Sequence, residues 1–258
     1  MRTKRVVVER PADGVASVVL DRPDRLNALD QDGFDDLTEA FATVGADPSV
    51  RAVVVTGTGR AFCAGADISG AGGLADEDAA RRWMERTHRG PLALHHLPQP
   101  TIAAVVGPAA GAGLGLALLC DIRLGDPTAS FSAPFGRMGL VPDFGVSTTL
   151  PAVVGSSLAT EALLTGRKIG AEEAVAAGIL SRITDDVRAE AETIAARIAA
   201  LPGDTAAVTK RHLRDCAAHP VDHVLRRLEP DAQARALAHP EFAARARAWF
   251  AAKGGAKR

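Results

Sequence analysis

Gly107-Pro108-Ala109-Ala110-Gly111-Ala112-Gly113-Leu114-Gly115 and, further on, Leu140-Val141-Pro142-Asp143-Phe144-Gly145 decide how this chain is read. The first run is nearly bare backbone, so its N–H groups can approach a ligand closely. The second sets one carboxylic acid among apolar neighbours, Leu140, Val141, Pro142, Phe144 and Val146. Burial there lifts a carboxyl pKa towards neutrality. Another bare-backbone loop, Ala64-Gly65-Ala66-Asp67, lies upstream. Free amides in two loops and one apolar carboxyl together suit an oxyanion that must be held while a proton moves. Each part also has a plainer reading. The glycines would permit close packing of helix on strand, and Asp143 would be a turn aspartate capping a helix that starts near Gly145.

Around this stretch, segments 6–9, 16–21, 52–56, 101–106, 121–124 and 130–133 read as short strands bounded by Gly, Pro or Asp. Between the second and third, Phe34, Leu37, Phe41 and Val44 recur at helical spacing behind Asp30, placed to cap. This alternation predicts an α/β domain with helices covering sheet faces. From about residue 155 the strand signal fades. Val187, Ala191, Ile194, Ala195 and Ile198 form one helical stripe, and Asp204 is placed to cap the next helix. Two more helices are expected over 220–235 and 240–252. The small-residue stretch 71–73, with Asp76 and Asp78 after it, reads as a mobile loop, and 253–258 as a frayed end.

Thirty basic against 31 acidic side chains leave no net field to recruit nucleic acid or an anionic membrane, and no basic stripe with interleaved aromatics appears. At 47% hydrophobic over 258 residues the chain can bury a large core. Cys63, Cys120 and Cys216 are scattered, without the spacing of a zinc site or a disulfide framework. No signal-peptide pattern opens the chain, and no apolar run reaches the ~20 residues of a membrane helix, so a cytoplasmic protein is expected. The glycine loop is GxGxG rather than GxGxxG, with no acid-ended second strand, which argues against a nicotinamide site, and there is no P-loop string. His219 and His223 stand four apart without a third ligand, so no metal is expected. Trp83 and Trp249 read as packing residues, and the absence of tyrosine excludes a tyrosine acid.

Arg22-Pro23-Asp24-Arg25-Leu26-Asn27-Ala28-Leu29, Gly59-Arg60-Ala61-Phe62-Cys63-Ala64-Gly65-Ala66-Asp67-Ile68, Pro100-Thr101-Ile102-Ala103-Ala104-Val105-Val106-Gly107 and Cys120-Asp121-Ile122 follow one another in this order. Together they resemble the crotonase superfamily, also called the enoyl-CoA hydratase/isomerase family, from about Val6 to Lys253. The resemblance implies a crotonase-like core of ββα spiral turns over 1–195 and a C-terminal helical trimerisation region over 196–258. It implies acyl-CoA thioester substrates, no cofactor beyond the CoA of the substrate, and a homotrimer or dimer of trimers. The oxyanion-hole donors would be the backbone N–H groups of Ala66 and Ala112. The CoA would meet Arg25, Leu26, Ala28, Ala64, Asp67 and Ile68, with Lys210, Phe250 and Lys253 from the helical region of its own or a neighbouring subunit.

Hydratases of this family carry one glutamate in the glycine loop and another after the next strand. Those places hold Gly115 and Phe135 here, whereas water addition needs groups to activate the water and to handle the α-proton. Asp143 stands where isomerase-type members place a catalytic carboxylate, so an enoyl-CoA isomerase is the expected activity. Related branches leave a hydratase, a ring-epoxide aryl-CoA isomerase and an aryl-CoA dehalogenase open, as well as a non-catalytic acyl-CoA-binding protein. By resemblance to the dehalogenase branch His88 and Phe135 would line the acyl pocket. Judged by its own neighbours Arg81, Arg82, Arg86 and Arg89, His88 belongs to a solvated helix face.

Overall fold

The computed structural model describes residues 4–67 and 76–255, with side chains to 251. The chain divides into two compact units, Met1–Ala207 and Val208–Arg258. In the first, β1 (Val6–Ala12) and β2 (Val15–Leu20) form a hairpin, followed by α1 (Gln31–Ala46) and β3 (Ala52–Gly57). Asp30 caps α1 by accepting from the Gly33 N–H at 2.9 Å. Next come α2 (Glu77–Thr87), α3 (Arg89–His96), β4 (Thr101–Val105), β5 (Pro108–Ala110), α4 (Ala112–Leu119), β6 (Ile122–Gly125) and β7 (Ser130–Ser132). The unit continues through α5 (Val146–Val154), α6 (Ser156–Thr165), β8 (Lys168–Gly170), α7 (Ala171–Ala176), β9 (Arg182–Ile183) and α8 (Val187–Ala199).

Six strands pair in the order β1-β2-β3-β4-β6-β9, parallel throughout except for the β1–β2 hairpin. A smaller sheet, β5-β7-β8, lies beyond the ends of these strands in the chain. The central strands are mostly apolar, with Thr56 and Thr101 the polar side chains buried in them, because both faces are covered, as parallel sheets require. Val53, Val55, Ala103 and Val105 join Phe34, Leu37, Phe41 and Leu94 in the larger core. Val54, Ile102 and Ala104 pack with Val187, Ala191 and Ala195 of α8. Each buried Val or Ile contributes about 1.5–3 kcal/mol. Asp121 fixes the register of this layer, its carboxylate accepting from the N–H and hydroxyl of Thr101 at 2.8 and 2.9 Å.

Several local expectations are corrected. Strands do occur beyond residue 155, at β8 and β9, and β5 also escapes the sequence pattern. All three are two or three residues long, too short to carry a period. Asp76 and Asp78 are not loop residues: Asp76 accepts from the Ala79 N–H at 2.8 Å and caps α2, whose first turn contains Asp78. Residues 71–73 lie outside the described residues.

A helix α9 (Thr205–Ala217) begins directly after Asp204. The helix expected over 220–235 is interrupted: α10 (Val221–His223) passes into a π-helical turn, Val224–Leu228, before α11 (Glu229–Leu237). Pro230 explains the break, because its missing N–H leaves one rung of the ladder unmade. The last helix is α12 (Phe242–Gly255). Trp249 is more than half exposed on this helix, whereas Trp83 packs edge-on against Phe34 at 6.3 Å. No described helix is long and apolar enough to cross a membrane.

Candidate active site

The loops that follow β2, β3 and β4 emerge at the carboxyl ends of parallel strands, where open sheets hold their ligands. Asn27 knots the first two together. Its buried amide donates to the carbonyls of Thr58 and Ala61 at 2.9 and 2.7 Å and accepts from the Arg22 N–H at 2.9 Å. The second and third loops are zipped backbone to backbone. Phe62 and Cys63 donate to the Pro108 carbonyl, and Ala110 donates back to Cys63 at 2.9 Å. Gly113 allows this approach, since a side chain there would meet the Cys63 carbonyl at 2.2 Å. Burial pushes the Cys63 thiol up to about 12, so it is a packing group and no nucleophile.

The zipper sets Ala66 and Ala112 side by side on adjacent loops. Gly65, at φ +104°, turns the first loop so that its α-carbon faces the second, with a Cβ position 3.5 Å from the Ala112 nitrogen. Among the described residues, neither the Ala66 nor the Ala112 N–H meets an acceptor. Ala112 is the first residue of α4, so the partial positive charge of the helix start adds to its N–H. The ring of Phe135, buried, lies 3.9 Å from the Cβ position of Gly111, just ahead of that amide.

Asp143 reaches the same helix through its neighbour. Phe144 lies directly on Gly115, one turn along α4 from Ala112, where a Cβ would sit 2.5 Å from the Phe144 Cβ. Phe144 adopts φ +51°, a left-handed conformation unfavourable for a bulky residue. Phe34 and His88 hold its ring, with centroids 5.6 and 5.1 Å away. Asp143 Oδ1 is buried with no hydrogen-bond partner among the described residues, and burial raises its pKa to about 6. It does not cap α5, which starts at Val146 behind Gly145 with no side-chain bond, so the turn-cap reading fails. The expected apolar surroundings are also corrected. Phe144 and Val146 are buried, but Leu140 and Val141 are 49% and 80% exposed.

The solvated-face reading of His88 fails too. His88 ends α2 and begins α3, and the kink turns its ring inward onto the edge of Phe144. Its Nε2 is buried and has no partner among the described residues, and desolvation holds the imidazole below its ordinary pKa.

On the expected nucleotide side, Arg25 is exposed at the end of a 3-10 turn, and Leu26 and Asn27 follow in left-handed conformations. The Leu26 carbonyl accepts from Ala64 and the Ala28 carbonyl from Arg22. Asp67 forms an ion pair with Arg22 at 2.9 Å. Ile68 lies outside the described residues. In the second compact unit, Lys210 is buried rather than solvated, Phe250 is 71% exposed, and Lys253 belongs to α12 with an undescribed side chain. No group of three or more possible metal ligands occurs among the described residues. Asn27 and Phe144 are the site residues that sequence reasoning passed over. An amide set inside Leu26-Asn27-Ala28-Leu29 was the available signal for the first.

A family model described as enoyl-CoA hydratase/isomerase matches residues 10–248. The Mycobacterium tuberculosis protein named "Probable enoyl-CoA hydratase EchA14" is 40% identical over 236 residues, covering 90% of this chain and 92% of its own. "Probable enoyl-CoA hydratase EchA12" of the same organism is 43% identical over 217 residues, 81% of this chain and 76% of its own. Among solved structures, an enoyl-CoA hydratase from Bacillus anthracis superposes with TM-score 0.88 at 26% identity, covering 95% and 96% of the two chains. An enoyl-CoA hydratase/carnithine racemase from Magnetospirillum magneticum gives 0.86 at 32% identity, covering 97% and 94%.

Proposed function

The chain belongs to the enoyl-CoA hydratase/isomerase family, and within that family we propose that it is an enoyl-CoA isomerase. The observation that carries this reading is the contact of Phe144 with Gly115, which leaves no room for a glutamate in the glycine loop while presenting Asp143 as the acid. The thioester oxygen of a 3-enoyl-CoA accepts from the N–H groups of Ala66 and Ala112. The Asp143 carboxylate removes a proton from C2, and the electron pair passes into a dienolate whose charge rests on the held oxygen. Protonated Asp143 returns the proton to C4, giving the conjugated 2-enoyl-CoA. A carboxyl with a pKa of about 6 is suited to both halves of this exchange. No cofactor beyond the CoA is needed.

Hydration is the second reading, favoured by the names of the relatives. Comparing the parent protein with Asp143→Asn on a 3-enoyl-CoA and on a 2-enoyl-CoA separates the two. Loss of 3-enoyl conversion in the variant supports the isomerase. Full isomerisation by the variant removes Asp143 from the mechanism, and rapid hydration of the 2-enoyl substrate by both proteins establishes a hydratase. CoA binding without turnover of any enoyl or aryl thioester would identify a binding protein instead. We also propose that the helical region associates with copies of itself, supported by exposed Leu213, Val221, Leu225 and Phe250.

A further inference from the structure

The proposed proton transfer uses the unpartnered oxygen of Asp143, but it gives no task to the unpartnered nitrogen of His88. The imidazole stands at the end of a run of aromatic contacts. Trp83 meets Phe34 edge-on, Phe34 meets Phe144, and His88 meets Phe144 edge-on at 5.1 Å and 88°. A phenyl ring would fill the same place without losing the hydration of a ring nitrogen, so packing alone gives no reason for histidine. The neighbouring cations do not explain it either. Arg86 is committed to Asp35 of α1, and Arg89 is exposed. Among the described residues the nitrogen therefore has no protein partner, and its ring lies against Phe144, the residue next to Asp143.

We propose that His88 Nε2 is a hydrogen-bonding group for the acyl moiety, and that the natural substrate carries a neutral oxygen function, a hydroxyl or carbonyl, on its acyl group. This assignment rests on the isomerase reading of the same site. A plain hydrocarbon chain beside it would leave the buried nitrogen unsatisfied, whereas an oxygen function would supply the missing bond. An anionic group is disfavoured, because burial works against the charged imidazole that would pair with it.

The test measures binding of saturated thioesters, which an isomerase cannot consume. A straight-chain acyl-CoA is compared by calorimetry with the same chain bearing a hydroxyl at successive carbons, for the parent, His88→Phe and His88→Gln. The expected result is about tenfold tighter binding for at least one hydroxyacyl-CoA by the parent, lost in His88→Phe and partly kept in His88→Gln. Equal affinity for all thioesters by the parent, or a hydroxyl preference that survives in a folded His88→Phe, overturns the proposal. If His88→Phe does not fold, the parent series and His88→Gln still decide it. Failure of the isomerase reading appears separately, as full 3-enoyl turnover by Asp143→Asn.

Discussion

Gly115 and Phe144 occupy one place: a Cβ built on Gly115 would lie 2.5 Å from the Phe144 Cβ and 2.7 Å from its carbonyl oxygen. A glutamate in the glycine loop and an aspartate on the Phe144 loop are therefore exclusive in this backbone. Gly115→Glu is expected to displace the Phe144 loop, abolish isomerisation and fail to create a hydratase. Gly115→Ala is expected to cost about 1–3 kcal/mol of stability through overpacking, read by thermal melting, together with a fall in kcat as Asp143 shifts. An unchanged melting temperature and kcat in Gly115→Ala would show that the contact is not rigid.

The pKa of Asp143 makes two opposite pH trends. In the proposed mechanism ionised Asp143 is the base, so kcat/KM should rise with pH to a plateau with a midpoint near 6, a limb absent from the residual activity of Asp143→Asn. Stability runs the other way. The folded-state pKa lies above the unfolded value of about 3.9, so the folded protein binds the extra proton between the two values. This contribution is fully present below about pH 4 and is lost as pH rises through about 6. The melting temperatures of the parent and Asp143→Asn should therefore diverge between about pH 4 and pH 6 and stay a constant distance apart above that, with the variant the more stable. A variant that melts lower at pH 8 would place the carboxylate in a solvated or paired setting.

How far the sequence alone reached follows from range. The β3 and β4 strands and α1 were legible because each repeats its pattern over five residues or more, and the cap of α1, Asp30, stands next to what it caps. β5, β8 and β9 carry no period of their own, since their pairing depends on partners elsewhere in the chain. At the site, the glycines of the two loops announced free amides, but nothing local revealed that Phe144 needs Gly115. His88 misled because its sequence neighbours are arginines, and only the kink between α2 and α3 turns its ring away from theirs.

Asn27 ties the loop of Arg22 to the carbonyls of Thr58 and Ala61 from a left-handed conformation, φ +58°. Alanine there would leave the buried Ala61 carbonyl bond unmade, at about 1–3 kcal/mol, and would lose the tolerance of asparagine for that conformation, at about 1 kcal/mol. With ~2–4 °C per kcal/mol for a chain of this size, Asn27→Ala should lower the melting temperature by roughly 5–12 °C. A shift under 2 °C would mean that the knot is replaced by solvent at little cost.

Ala112 allows its amide to be removed with little disturbance of the fold. Proline is tolerated at the first position of a helix, where no intrahelical bond is lost, and Ala112 holds that position in α4. The residue before it is a glycine at φ +52° and ψ −116°, without a Cβ to clash with the proline ring. Ala112→Pro should therefore keep the fold, checked by circular dichroism and melting, while deleting one of the two donors proposed for the thioester oxygen. The expected loss is about 10²-fold in kcat/KM, the usual effect of one oxyanion donor. Free CoA, which has no thioester oxygen, should bind the variant as it binds the parent. Parent-like turnover in a folded Ala112→Pro would mean that the enolate charge rests on other donors. Equal losses of CoA affinity and turnover would mean that the substitution had deformed the loop rather than removed a donor.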